Sequence, residues 1–203
     1  MKKLVVDWGE LSVAFDNTGF DISYYLNTDT GQVLMVTDED RRYWEGICDR
    51  QQGEHAPEVF ELELALAQSN LPDWQQEGVR TVDFVETHYG RRVIAIPQNT
   101  TYEAYDVIQD FIATIEDRRL YEQLLQVTQG RGAFGRFRAI LSEHLAEEQR
   151  WYAFEENRLR QQIADWLAEE GIEPINGPEQ VASAAVPEDV AARFRPGEKD
   201  GER

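Results

Sequence analysis

The chain has 203 residues, with 39 Asp and Glu against 20 Lys and Arg, for a formal net charge of −19. That surplus argues against direct binding of nucleic acid or an anionic membrane, both of which need a basic face. Hydrophobic residues make up 41% of the chain, enough for the core of one domain, while the mean hydropathy is negative and no apolar run approaches the roughly 18 residues of a membrane-spanning helix.

The opening Met1 to Trp8 segment is basic but lacks the apolar stretch of a signal peptide, and Leu4-Val5-Val6 reads as a short strand or extended lead-in. Asp7-Trp8-Gly9-Glu10 has the spacing of a capping box, after which Trp8, Leu11 and Phe15 share a helical face. Residues 21–27 and 32–37 alternate in polarity around Asn27-Thr28-Asp29-Thr30-Gly31, the pattern of a β-hairpin with glycine available for positive φ. Thr37-Asp38-Glu39-Asp40 then caps a helix that buries Tyr43, Trp44 and Ile47.

Residues 51–57 read as loop. Over 58–69, Phe60, Leu62, Leu64 and Leu66 alternate like a strand, yet the Glu, Leu and Ala content favours helix, which is the reading adopted. A further helix is expected over 73–88, and a short strand over Arg91 to Ile96, ending at Pro97. Thr100-Thr101-Tyr102-Glu103 is a second capping box, and the helix after it should bury Tyr105, Ile108, Ile112 and Ile115. Leu120, Tyr121, Leu124 and Leu125 continue in another helix up to Gly130.

Two strongly amphipathic helices follow. Phe134, Phe137, Ile140, Leu141 and Leu145 share one face of the first, and Trp151, Tyr152, Leu159, Ile163 and Trp166 make a broad face on the second, closed by Gly171. Phe137, Trp151 and Trp166 are expected to be buried at the packing surface of these two helices. The fold class expected is α+β: a small antiparallel sheet from the N-terminal half, packed with a mostly helical C-terminal half. Residues 1–172 are expected to form one domain, with a hairpin-containing part at 1–97 and a helical part at 98–172. Residues 173–203, rich in Ala, Pro, Glu and Gly, read as an acidic flexible tail with a transient helix near 181–186.

The chemistry-bearing residues are sparse. Arg131 and Arg138 are seven apart with Ser142 in the same helical row, a stripe that would hold a phosphate or carboxylate if the helix begins by Arg131. The ordinary alternative is that these arginines pair with local acids. Glu155 lies within the apolar face of the last helix, where burial would raise its pKa, although pairing with Arg158 or another cation is the simpler expectation. Gly130-Arg131-Gly132-Ala133-Phe134-Gly135 matches G-x-G-x-x-G, but a helix rather than a strand is expected before it, so the glycines read as loop and cap residues. His55, His88 and His144 have no ligand neighbour at metal spacing. The single Cys48 suits a reducing cytosol and a small apolar position on a helix. No catalytic residues, metal site or cofactor emerges.

The acid is uneven: residues 1–100 hold 18 acids and 8 bases, whereas residues 131–172 hold 8 acids and 6 bases. Asp38, Glu39 and Asp40 form the densest run and are the candidate acidic partner surface, although a helix start also accounts for them.

Three pieces of the sequence resemble an uncharacterised bacterial family, protein family 0158. They are the hairpin Tyr24-Tyr25-Leu26-Asn27 through Gly31-Gln32-Val33, the helix Tyr105 to Ile115 containing Asp110-Phe111-Ile112, and the Gly130 to Phe137 stretch. The last leads on to Trp151…Phe154 and Trp166-Leu167…Gly171-Ile172. The resemblance spans roughly residues 5–172; Gly135 departs from it, standing where a basic residue is expected. It implies a small soluble bacterial protein and transfers no catalytic residue.

Three readings of function stand at this point. The first is a non-catalytic cytosolic protein-interaction or regulatory module with an acidic surface. The second is a nucleic-acid mimic or binder of a basic protein. The third is a small-anion or phosphoryl-ligand enzyme centred on the Arg131/Arg138 stripe.

Overall fold

The computed structural model describes residues 1–51, 62–99 and 101–177. The expectations for 52–61, Thr100 and the tail beyond 177 lie outside the described residues.

Local sequence signals start the elements where expected. Strand β1 (Lys2–Leu4) leads to α1 (Trp8–Asp16), whose N-cap Asp7 accepts the Glu10 backbone N–H at 3.0 Å. The hairpin follows as β2 (Ile22–Asn27) and β3 (Val33–Thr37), in register Ile22↔Thr37 through Leu26↔Val33. Its turn is tied down at both sides, because Asp29 accepts hydrogen bonds from Lys2 and from Arg92. Thr37 and Asp40 then form a reciprocal cap: the Thr37 hydroxyl accepts the Asp40 N–H at 3.1 Å and donates to the Asp40 carboxylate at 2.6 Å.

Helices α2 (Asp38–Gln51), α3 (Leu62–Ala67) and α4 (Asp73–His88) come next. The helical reading of the ambiguous 58–69 stretch holds over the described part. Gly78 of α4 stands where a Cβ would lie 2.1 Å from Asp40 Oδ1, so α2 and α4 approach closely there. Strand β4 (Val93–Ala95) pairs antiparallel with β2 and completes a three-stranded sheet of order β3-β2-β4. The remaining helices are α5 (Thr101–Ile112), α6 (Arg118–Val127), α7 (Ala133–Leu141) and α8 (Leu145–Glu169). This is the α+β arrangement expected, with the antiparallel sheet in the N-terminal half. Among the described residues no helix is long and apolar enough to cross a membrane.

A second sheet, which alternation did not announce, closes the chain on itself. Strand β5 (Ile172–Pro174) pairs parallel with β1. The side chain of Asn176 then brackets the Val6 peptide, accepting its N–H at 3.0 Å and donating to its carbonyl at 2.6 Å, and the Trp8 indole donates to the Asn176 carbonyl at 3.0 Å. Residues 173–177, which composition groups with the tail, are thus stitched to the N-terminus.

Helix α8 is the spine. Its 25 residues span roughly 37 Å at the helical rise, and its two halves serve different clusters. Trp151 joins Phe111, Phe137, Leu120, Leu124 and Leu141 from α5, α6 and α7. Ile163, Trp166 and Leu167 join Leu4, Trp8, Leu11, Phe15 and Ile172 at the other end. All three expected aromatics are buried, but only two lie at the α7–α8 surface: Phe137 and Trp151 touch edge to face at 4.8 Å, whereas Trp166 packs against Phe15 of α1 at 5.6 Å. On a helix this long, residues fifteen apart lie near one face yet far apart along the axis.

Two further placements differ. Leu145 begins α8 instead of ending the preceding helix and is 68% exposed, and Tyr152 is 57% exposed. The apolar face is thus narrower than the periodicity suggests. Phe111, outside the Tyr105, Ile108, Ile112 and Ile115 set, is instead the hub of the aromatic cluster, meeting Phe137, Trp151 and Phe154 at 6.2, 5.2 and 5.5 Å.

Candidate functional site

The turn between α6 and α7 sets up the site. Gly130 and Gly132 adopt φ of +75° and +79°, conformations that disfavour any side chain. Arg136 then reaches back from α7 and donates to three backbone carbonyls, of Val127 at 3.0 Å, Gln129 at 2.8 Å and Arg131 at 2.7 Å. It satisfies acceptors left open as α6 ends and places a cation at the negative end of that helix. Much of the Gly-Arg-rich stretch is thus a helix-to-helix clamp. Arg136→Ala is expected to lower stability by about 1–3 kcal/mol, the scale of hydrogen bonds from a charged group. Arg136→Lys should recover only part of that, because an ammonium cannot span three carbonyls. Urea denaturation of the three proteins checks it; an unaltered midpoint for Arg136→Ala would remove the clamp role.

The clamp holds α7 against the middle of α8. There, at the seam between the two core clusters, opens a cavity of about 130 Å³. Its walls carry Arg138 from α7, Glu155, Arg158 and Gln162 from α8, Asp16 at the end of α1, and Asn99, with an apolar lining that includes Val107, Phe134, Trp151 and Leu159. Arg158 is engaged with Asp110 at 2.6 Å, so of the partners expected for Glu155, Arg158 is ruled out. Asp110 sits on the neighbouring α5 and intercepts the guanidinium. The other cation is Arg138, yet among the described residues neither side chain makes a hydrogen bond or an ion pair; they interact through space.

Burial pushes the Glu155 carboxyl above its ordinary range, with Arg138 pulling it down and Asp16 pushing it further up. Partial desolvation likewise raises Asp16, although the residue stays exposed, and a hydrogen bond from Asn99 partly offsets it. For both groups folding shifts the balance toward the protonated form relative to the unfolded chain. Stability is therefore greater below the ordinary carboxyl pKa and is lost as pH rises through the raised folded value. The Trp151 indole N–H is buried without an acceptor, the only such side-chain atom among the described residues.

The residues expected to bind an anion are not brought together. Arg131 lies in the turn ahead of α7, which begins at Ala133, so the row it was to share with Arg138 does not form. The Ser142 hydroxyl donates to the Ala139 carbonyl at 2.8 Å. Only Arg138 reaches the cavity. Of the acidic run, Asp38 and Glu39 are exposed, whereas Asp40 is committed to its cap with Thr37. Asp16 was missed. Its only sequence signal was a carboxylate placed, against the helix dipole, at the end of a helix with no basic residue in its last turn. Among the described residues no three His, Cys, Asp or Glu side chains gather in a way that would hold a metal ion. A larger hollow, about 600 Å³, borders Tyr43, Ile47, Ala65 and Leu71, but its described lining holds no charged side chain.

With the seam and its clamp in view, comparison with known sequences bears on the expected family. The sequence model of the Uncharacterised protein family (UPF0158) matches residues 73–188, more than half of the chain. The chain belongs to this family. A UPF0158 protein of Pseudomonas aeruginosa is 27% identical over 174 residues, covering 86% of this chain and 88% of the relative. A UPF0158 protein of Chlamydia trachomatis serovar D is 28% identical over 110 residues, covering 54% of this chain and 31% of the relative. No solved structure matches at a significant level. The UPF0158 match takes in α4 through β5, and with them the Arg136 clamp and the α5, α7 and α8 walls of the cavity; Asp16 of α1 lies outside it.

Proposed function

We propose that the chain is a non-catalytic regulatory module of the bacterial cytosol that docks a basic protein through carboxylates on α2. The observation that supports this reading is a row of exposed carboxylates on α2, whose field reaches Cys48. Burial first, and then Asp83, Asp49 and Glu45, push that thiol above its ordinary pKa. Glu45 and Asp49 are exposed and follow Asp38 along one face of α2 at helical spacing. Arg42, on the same side, turns back to the Asp38 carbonyl of its own helix. A face of this kind steers a cationic surface and repels nucleic acid and anionic lipid.

The test is capture of partners from a bacterial lysate at low and at molar salt, with a variant carrying Asp38→Asn, Glu39→Gln, Glu45→Gln and Asp49→Asn. Asp40 is left intact because it caps α2. A basic partner should bind at low salt and weaken at least about tenfold both in the variant and at 1 M salt, where the Debye length falls to ~3 Å. A partner held equally well in every condition would place the contact on an apolar surface and sink this reading. Displacement of the captured partner by duplex DNA would identify the same face as a nucleic-acid mimic.

A further inference from the structure

We propose that the cavity between Arg138 and Glu155 binds a small zwitterion, an α-amino acid with a compact apolar side chain. The site is independent of the α2 surface, so either can fail without the other.

In this acid-rich chain the neighbouring arginines of α8 find carboxylates: Arg150 meets Glu147 at 2.6 Å, Arg158 meets Asp110 at 2.6 Å and Arg160 meets Glu156 at 2.5 Å. The exposed Arg138 and the half-buried Glu155 both line the cavity but do not close on one another, and among the described residues neither side chain has another ion-pair or hydrogen-bond partner. A cation and an anion that line one cavity without pairing suit a ligand that carries both charges. An ion pair with each would give it two charge-assisted contacts of fixed direction.

The negative side of the gap is stronger than one carboxylate. Asp16 lies in the same wall and within reach of the Glu155 charge. It is also the last residue of α1, at the negative end of that helix dipole. Two carboxylates and a helix C-terminus converge there, which is a place for an ammonium group. Inorganic phosphate would meet that same negative side with only one uncommitted guanidinium to hold it, so a simple anion is disfavoured. Between the charged ends the wall is apolar, with Val107, Ile108, Phe134 and Leu159. The volume of about 130 Å³ is close to that of cavities of roughly 150 Å³ that accept benzene. An amino acid such as alanine or valine is of this scale.

Isothermal titration calorimetry on the full chain tests the site with L-alanine, L-valine and L-leucine. Valinamide lacks the carboxylate, isovalerate lacks the ammonium group, and inorganic phosphate is a bare anion. L-Valine is expected to bind saturably, with valinamide and isovalerate weaker by roughly 10- to 100-fold, the range for losing hydrogen bonds to a charged group. Arg138→Gln should abolish the preference for valine over valinamide, and Glu155→Gln the preference over isovalerate. Each variant should lose one preference and keep the other, a pattern that general unfolding would not produce. Circular dichroism of the ligand-free variants should match the parent. No saturable binding of any of the three amino acids overturns the proposal, as does binding that both substitutions leave unchanged. Arg138-dependent binding of phosphate in place of valine would also overturn it and make the cavity an anion site.

Discussion

Phe137→Ala is expected to lower folding stability by about 3–5 kcal/mol, the range for truncating a large buried aromatic. Phe137 has no exposed surface and meets Trp151 edge to face at 4.8 Å and Phe111 at 6.2 Å. Its ring is where α7 leans on both α5 and α8. Removing it takes away transfer energy, leaves a void and deletes two aromatic pairs, each worth about 0.5–1.5 kcal/mol beyond area. The melting temperature of a chain this size should fall by roughly 10 °C. Because Phe137 also lines the cavity, the void should merge with it. Thermal and urea denaturation measure the effect, and an unchanged melting temperature would refute this placement of α7.

Gly31→Ala is expected to be nearly as damaging, at about 3 kcal/mol or more, for a different reason. Gly31 has φ +81° and closes the hairpin turn through an N–H donated to the Asn27 carbonyl at 2.8 Å. A Cβ there would lie 1.9 Å from the carbonyl oxygen of Val5. That neighbour is backbone, fixed from the next peptide group onward by the bracket that Asn176 makes around Val6. Relief would require the hairpin and the β1–α1 connection to separate. Gly130→Ala is the control, since Gly130 has φ +75° with open space around it. It should show only the left-handed penalty of about 1–2 kcal/mol. Equal losses in the two proteins would mean that the hairpin turn does not press on Val5.

What the sequence determined by itself was local. Asp7 and Thr37 lie next to the helices they cap, and their hydrogen bonds close within three residues, so the motif is legible without the fold. The hairpin register follows from alternation and from one glycine at the turn. The amphipathic faces of α5 to α8 were legible for the same reason, since burial repeats with the helical period. The G-x-G-x-x-G match could be set aside because a helix, α6, precedes it and its glycines only turn the chain.

The site was decided by contacts with no local signature. Arg138 and Glu155 are ordinary charged residues of two helices, and only the packing of α7 on α8 turns them toward one cavity, with Asp16 arriving from the far end of the chain. Periodicity says which face of a helix is buried but not which neighbour buries it at each turn. Trp151 and Trp166 therefore looked equivalent and went to different clusters. The same limit hid the partner of Arg158, because a guanidinium takes the nearest well-placed carboxylate in space, Asp110 on another helix. It also hid β5: three residues are too short for alternation to register, and their pairing with β1 depends on α8 delivering them beside the N-terminus.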